Sequence, residues 1–201
     1  MSSICVVDYG MGNLTSITNA LRFLDHEVSL ITEPEELSDY ETIVLPGVGA
    51  FAKAMECLRQ KKLDEALLEA TYNGKKTIGI CLGMELLFSR SFEFGEHSGL
   101  DLINGNVIPF GSQNGLQKTH MGWNNVESGN ADFEKFNGDF YFVHSYYCVP
   151  EHEQEILFKT HYGIEFCSGV MKDNQIFGLQ FHPEKSQKLG LDLLDKIIKD
   201  A

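Results

Sequence analysis

Thr77-Ile78-Gly79-Ile80-Cys81-Leu82-Gly83-Met84 is the stretch that decides the fold. Residues 77–81 form a short apolar run with no polar face, as expected of a strand buried on both sides of a parallel sheet. A segment of helical period opens near Met84, so the strand turns directly into a helix. The same alternation fills the first half of the chain. Strands are predicted at residues 4–8, 28–31 and 42–46, and Leu14, Ile17, Leu21 and Leu24 recur at three- and four-residue steps, the spacing of one apolar helix stripe. Leu58 and residues 63–68 supply further helix faces. From residue 102 onward the helical signal fades. Residues 106–110, 140–149, 156–159, 165–171 and 175–181 read as strands separated by Gly, Asn, Asp and Pro, and they are expected to extend the same sheet in antiparallel fashion. Ser186 is the expected N-cap of a closing helix whose Leu189, Leu193, Leu194, Ile197 and Ile198 face inward. The pattern is that of an α/β protein, and residues 1–201 are expected to form a single domain.

Composition narrows the function. The chain has 201 residues, 43% of them apolar, which is enough for a sizeable core. Sixteen Lys and Arg against 29 Asp and Glu leave a net charge of −13, which disfavours a sequence-independent grip on nucleic acid or on an anionic membrane. No apolar run approaches the roughly 18 residues of a membrane span, and residues 1–8 lack the basic-then-apolar pattern of a signal peptide, so a cytoplasmic protein is expected. Cys5, Cys57, Cys81, Cys148 and Cys167 are odd in number and contain no C-x-x-C pair, so neither a disulfide framework nor a metal or other cofactor site is indicated. The four other than Cys81 are expected to be buried hydrophobes.

Cys81 stands between Gly79 and Gly83 where strand meets helix. A nucleophile on so tight a turn needs small neighbours, because its backbone is strained and its side chain must stand clear of the sheet. The positive end of the helix is expected to lower the thiol pKa, and the amide of Leu82 can stabilise a developing oxyanion. Alone, the motif is equally that of a buried core thiol. His182-Pro183-Glu184 supplies a second element: the proline pushes His182 to an extended conformation, and Glu184 can turn back to bond and orient its imidazole. A single histidine at a strand end is commonly a satisfied polar group, but Cys81 and His182 both fall at strand ends that converge on the carboxyl edge of one sheet, where such sheets place their sites. Pro46-Gly47-Val48-Gly49 follows another apolar strand, and its glycines let the Val48 peptide present an N–H toward the thiol; read alone it is equally a Gly-rich turn. Asp8-Tyr9-Gly10-Met11-Gly12-Asn13 lacks the third glycine of a dinucleotide fingerprint, since residue 15 is Thr.

Taken with His120-Met121-Gly122-Trp123-Asn124, His144-Ser145-Tyr146-Tyr147 and Gln180-Phe181-His182-Pro183-Glu184-Lys185-Ser186, these motifs resemble those of the class I, or triad, glutamine amidotransferases along the whole chain. Within that class the chain is most similar to the glutaminase subunits of imidazole glycerol phosphate synthases. The resemblance implies a flavodoxin-like fold with a mixed, mostly parallel sheet, and hydrolysis of glutamine to glutamate by a Cys81–His182–Glu184 triad. It implies an oxyanion hole of Val48 and Leu82, and a glutamine site at Gly47, Gly49, Glu85, Ser145 and Tyr146. Ammonia would pass to a (β/α)₈ barrel synthase subunit in a heterodimer, with Asn13, Trp123 and Lys185 facing that partner. Two positions depart from the family pattern: Glu85 stands where Gln is usual, and Thr119 where Pro is usual. Relatives with the same motifs serve a barrel partner that aminates a surface-polysaccharide sugar, which is the alternative. A non-catalytic homologue would lack a triad member. A cysteine peptidase or DJ-1-like hydrolase would share the turn at Cys81 but not Pro46-Gly47-Val48-Gly49 together with His182-Pro183-Glu184.

Overall fold

The computed structural model describes residues 3–111 and 117–199. The elements are β1 (Ser3–Val7), α1 (Leu14–Phe23), β2 (Glu27–Ile31), β3 (Thr42–Gly47), α2 (Phe51–Gln60), α3 (Leu63–Tyr72), β4 (Lys76–Cys81), α4 (Leu82–Leu86), β5 (Phe88–Ser91), β6 (His97–Ser98), β7 (Ile103–Pro109), β8 (His120–Val126), β9 (Gly138–His144), β10 (Tyr146–Pro150), β11 (Ile156–Tyr162), β12 (Ile164–Lys172), β13 (Ile176–Leu179) and α5 (Gln187–Lys199). Among the described residues one sheet runs in the order β2-β1-β3-β4-β13-β12-β10-β7-β5-β6, with β11 added to β12. The first five strands of that order are mutually parallel. No helix among the described residues is long and apolar enough to cross a membrane.

Strands buried on both faces account for the continuous apolar runs. Ile4, Val6 and Val44 pack on one side with Ile17, Leu21, Leu193 and Ile197 of α1 and α5. Cys5, Val7, Ile43 and Leu45 pack on the other with Phe51, Met55, Leu58, Leu63 and Leu67 of α2 and α3. Ten-residue helices such as α1, α2 and α3 are marginal alone, so this two-sided burial, about 1.5–3 kcal/mol for each large aliphatic, is what holds them.

The structure differs from the sequence reading in five ways, the first being that β13, expected among the antiparallel strands, pairs parallel to β4. Residues 140–149 are not one strand: the chain changes partners at Ser145, β9 pairing with β8 in a separate two-stranded sheet while β10 joins β7 and β12. The side-chain alternation runs through this break, which is why the pattern conceals it. The Ser186 hydroxyl does not cap α5; it donates to the His182 carbonyl at 2.6 Å and accepts from Tyr141 N–H at 3.0 Å, and only the Ser186 carbonyl serves the helix, accepting from Gly190 N–H at 3.1 Å. The helix after β4 begins at Leu82 rather than Met84 and lasts five residues. Cys5, Cys148 and Cys167 are buried as expected, but Cys57 is only half-buried.

The joint between β4 and α4 leaves no room for side chains. A Cβ on Gly83 would overlap the Leu45 carbonyl, and one on Gly79 would lie 2.5 Å from the Gly83 carbonyl oxygen. Because backbone atoms form both obstacles, the Gly83→Ala variant should lose about 3 kcal/mol or more, a fall of roughly 6–12 °C in melting temperature. A melt within 2 °C of wild type, at about 2–4 °C per kcal/mol, would show that β4 and α4 are not locked this way.

Candidate active site

The parallel trio β3-β4-β13 delivers three backbone segments to one edge. Gly47 lies opposite Cys81 in the register, and His182 follows β13 by three residues. Cys81 itself sits at φ +55°, ψ −112°, a left-handed conformation that an L residue holds only at a cost of about 1–3 kcal/mol. The turn aims the thiol into a cavity of about 850 Å³ bounded by Val48, Leu82, Glu85, Glu93, Ser145, Tyr146 and His182, among others. Gly47 has to be glycine, since a Cβ there would come within 2.6 Å of Tyr9 Oη, which donates to the Pro46 carbonyl at 2.9 Å. Gly49 holds φ +107°.

His182 Nδ1 lies 2.8 Å from Glu184 Oε1, and both side chains are only 3% exposed. A carboxylate only accepts, so Nδ1 carries the proton and Nε2 is left as the basic nitrogen. Nε2 is buried and has no hydrogen-bond partner among the described residues. The Cys81 thiol donates to the Val143 carbonyl at 3.8 Å, so it and His182 line one cavity with no hydrogen bond between them.

The expected lowering of the thiol pKa is not found. Burial pushes the Cys81 thiol well above its ordinary range, Glu85 raises it further, and the N–H of Leu82 only partly opposes them. A five-residue helix provides too small a field to outweigh full desolvation. Glu85 is buried as well. Desolvation carries its carboxyl up to about 8, against a hydrogen bond donated by Gln180 Nε2 at 3.1 Å and reinforced by the charge of Glu93. Glu85 is therefore uncharged at neutral pH, and a neutral carboxyl there resembles the glutamine that is usual in the family.

Ser145 and Tyr146 border the cavity. Glu93 does so too, and sequence reasoning missed it: it follows the short strand β5 in a loop with no periodic signal, and its carboxylate accepts from Phe51 N–H. Trp123 is 49% exposed, edge-on to Tyr141 with centroids 6.1 Å apart, and Lys185 Nζ lies 5.9 Å from the same ring, so two of the three residues expected at a partner surface share one patch. Asn13 caps α1, accepting from Ser16 N–H at 3.3 Å, and borders a small void beside His182 and Glu184.

The family model described as glutamine amidotransferase class-I matches residues 5–199. Imidazole glycerol phosphate synthase subunit HisH of Moorella thermoacetica is 46% identical over 198 residues, spanning 96% of this chain and 93% of that protein. The protein of the same name from Sulfurimonas denitrificans is 43% identical over 202 residues, spanning 98% and 97%. Among solved structures, one described as PurLQS from Thermotoga maritima shares the fold with a TM-score of 0.76 at 22% identity, covering 100% of this chain and 97% of its own.

The Glu85 carboxyl sets an expected pH dependence. With its folded value raised above that of the unfolded chain, the stability it contributes is present below about 4.5 and is lost as pH rises through about 8. Glu85→Gln should therefore melt progressively higher than wild type between pH 5 and pH 9. It should leave Cys81 alkylation nearly unchanged at pH 7 and accelerate it at pH 9, where only wild type carries a charge beside the thiol. Identical pH profiles of melting and alkylation would show that Glu85 is not held neutral.

Proposed function

The chain belongs to the class I glutamine amidotransferases, and from this premise we propose how its residues divide the work. It is the glutaminase subunit of an imidazole glycerol phosphate synthase, serving histidine biosynthesis. The single observation that carries the assignment of roles is the convergence of Cys81, held at a left-handed φ of +55°, with a buried histidine whose Nδ1 is bound to a buried carboxylate.

Glutamine enters the cavity with its side-chain amide toward Cys81. Its α-ammonium faces the carboxylate of Glu93, and the Ser145–Tyr146 backbone with Gly47, Gly49 and Glu85 shapes the rest. The thiol proton passes to His182 Nε2 as sulfur bonds to the amide carbon. The oxyanion is received by the N–H groups of Leu82 and Val48. The carbon–nitrogen bond then breaks, the nitrogen takes the proton from His182 and leaves as ammonia, and a glutamyl thioester remains on Cys81. Water, deprotonated by His182, releases glutamate and restores the thiol. Glu184 keeps Nδ1–H bound throughout and stabilises the imidazolium. Because burial keeps the thiol neutral at rest, the proton has to move with the attack, which makes the orientation of His182 decisive.

The ammonia is used by the synthase subunit, which we take to be a (β/α)₈ barrel that docks over Trp123, Lys185 and Asn13. The exposed Trp123–Tyr141–Lys185 patch supports that surface. We also propose that the Gly47–Val48 peptide in the free chain presents its carbonyl to the oxyanion position, and that docking turns the N–H inward.

Cys81→Ala should abolish glutamine hydrolysis by several powers of ten while leaving partner binding and synthesis from added ammonium intact, as read by coupled assays of glutamate and of the synthase product. Loss of both activities would move the chemistry elsewhere. Glu184→Gln should lower hydrolysis strongly while remaining folded; an unchanged rate across pH would reduce Glu184 to a structural residue. A missing oxyanion donor costs roughly 10²–10³ in rate, so the partner should activate the isolated chain by at least that factor, and Trp123→Ala should weaken the activation at an unchanged melting temperature. Equal rates with and without the partner would refute the gating.

A further inference from the structure

Two buried histidines remain outside this chemistry. His120 and His144 face each other across β8 and β9, only 3% and 5% exposed. His144 Nδ1 lies 2.6 Å from the Tyr146 carbonyl, His144 Nε2 lies 2.9 Å from His120 Nδ1, and His120 Nε2 lies 3.0 Å from Asn124 Nδ2. The amide of Asn124 is itself fixed, because its Oδ1 accepts from Asn125 N–H at 2.8 Å and its second Nδ2 hydrogen goes to the His161 carbonyl at 3.0 Å.

These contacts admit one arrangement of protons. The Tyr146 carbonyl can only accept, so Nδ1 of His144 carries a hydrogen and Nε2 of the neutral ring accepts. His120 Nδ1 must then donate, and its Nε2 accepts from Asn124. Burial holds both rings neutral, pushing His120 down to about 4 and His144 to about 3, with the Tyr146 bond partly opposing it in His144. Stacking on Phe142 at 4.6 Å and on Tyr162 at 4.2 Å fixes the plane of His120. The chain of donors thus runs one way, from Asn124, adjacent to the exposed Trp123, to the carbonyl of Tyr146, which like His144 is a residue of the cavity wall.

We propose that Asn124, His120 and His144 are positioning residues that fix the Tyr146–Tyr147 peptide, and with it the Tyr146 backbone at the glutamine cavity, and tie it to the strand bearing Trp123, an inference that rests on the glutaminase reading above. By holding the Tyr146 carbonyl, the chain of hydrogen bonds fixes the peptide plane that follows Tyr146 and so the orientation in which this residue meets the substrate. Interactions made equally with glutamine and with the transition state govern KM rather than kcat.

The test compares two replacements of His144 in the complex with its synthase partner. His144→Phe keeps the ring volume and removes every bond; His144→Asn loses volume but can still donate to the Tyr146 carbonyl. The expected result is a KM for glutamine raised about tenfold or more in the Phe variant, with kcat within about threefold, and a KM near wild type in the Asn variant. If packing alone mattered, the order would reverse, with Phe tolerated and Asn impaired. That order, or equal KM values in all three proteins, overturns the proposal. Nitrogen-15 NMR of the wild-type chain provides a measurement that needs no variant to fold. Both rings should show a protonated Nδ1 and a bare Nε2 at pH 7, and an Nε2–H tautomer in either ring overturns the donor chain. If the wild-type complex released no glutamate from glutamine, the glutaminase reading itself would fail, and the NMR result would still decide the donor chain.

Discussion

The backbone of Cys81 is the constraint on which the site depends. A residue at φ +55° between a strand and a helix tends to relax, and here it cannot, because Gly79 and Gly83 let α4 close directly onto β3 and β4. The same closeness places Gly47 beside Cys81 in register and brings the segment after β13 alongside. Cys81, the Gly47–Val48 loop and His182, to which we assign the roles of nucleophile, oxyanion hole and base, are therefore placed by one packing arrangement. Rigid neighbouring strands hold them, as positioning for chemistry requires.

Burial is the second governing effect, and it acts against the helix end. It raises the thiol of Cys81, holds Glu85 neutral and keeps His120 and His144 uncharged. The resting cavity thus keeps the Cys81 thiol protonated and carries its polar information through oriented hydrogen bonds.

The parallel half of the fold was legible because its strands are buried on both faces and each is followed by a helix with a single apolar stripe. Cys81, His182 and Glu184 were legible because their neighbours, two glycines and a proline, are demanded by local backbone geometry. The antiparallel half was less so. β8 carries Gly122 and Asn124 on the inward face where a strand pattern expects apolar residues, and its inward His120 and Asn124 are satisfied by groups distant in sequence. The break at Ser145 left the alternation undisturbed, and Ser186 spent its hydroxyl on the nearby His182 carbonyl and on the Tyr141 N–H, which only the tertiary structure supplies. Glu93 and the direction of the Cys81 pKa are likewise products of assembly: one depends on which loop borders the cavity, the other on how completely the turn is desolvated.

The most direct test of the claim that the strained turn presents the nucleophile is mass spectrometry of the acid-quenched complex during turnover of glutamine. A glutamyl group carried by the peptide containing Cys81, and absent from the peptides of Cys5, Cys57, Cys148 and Cys167, is the expected result. Steady glutamate release with no adduct on Cys81, or with the adduct on another cysteine, would contradict it.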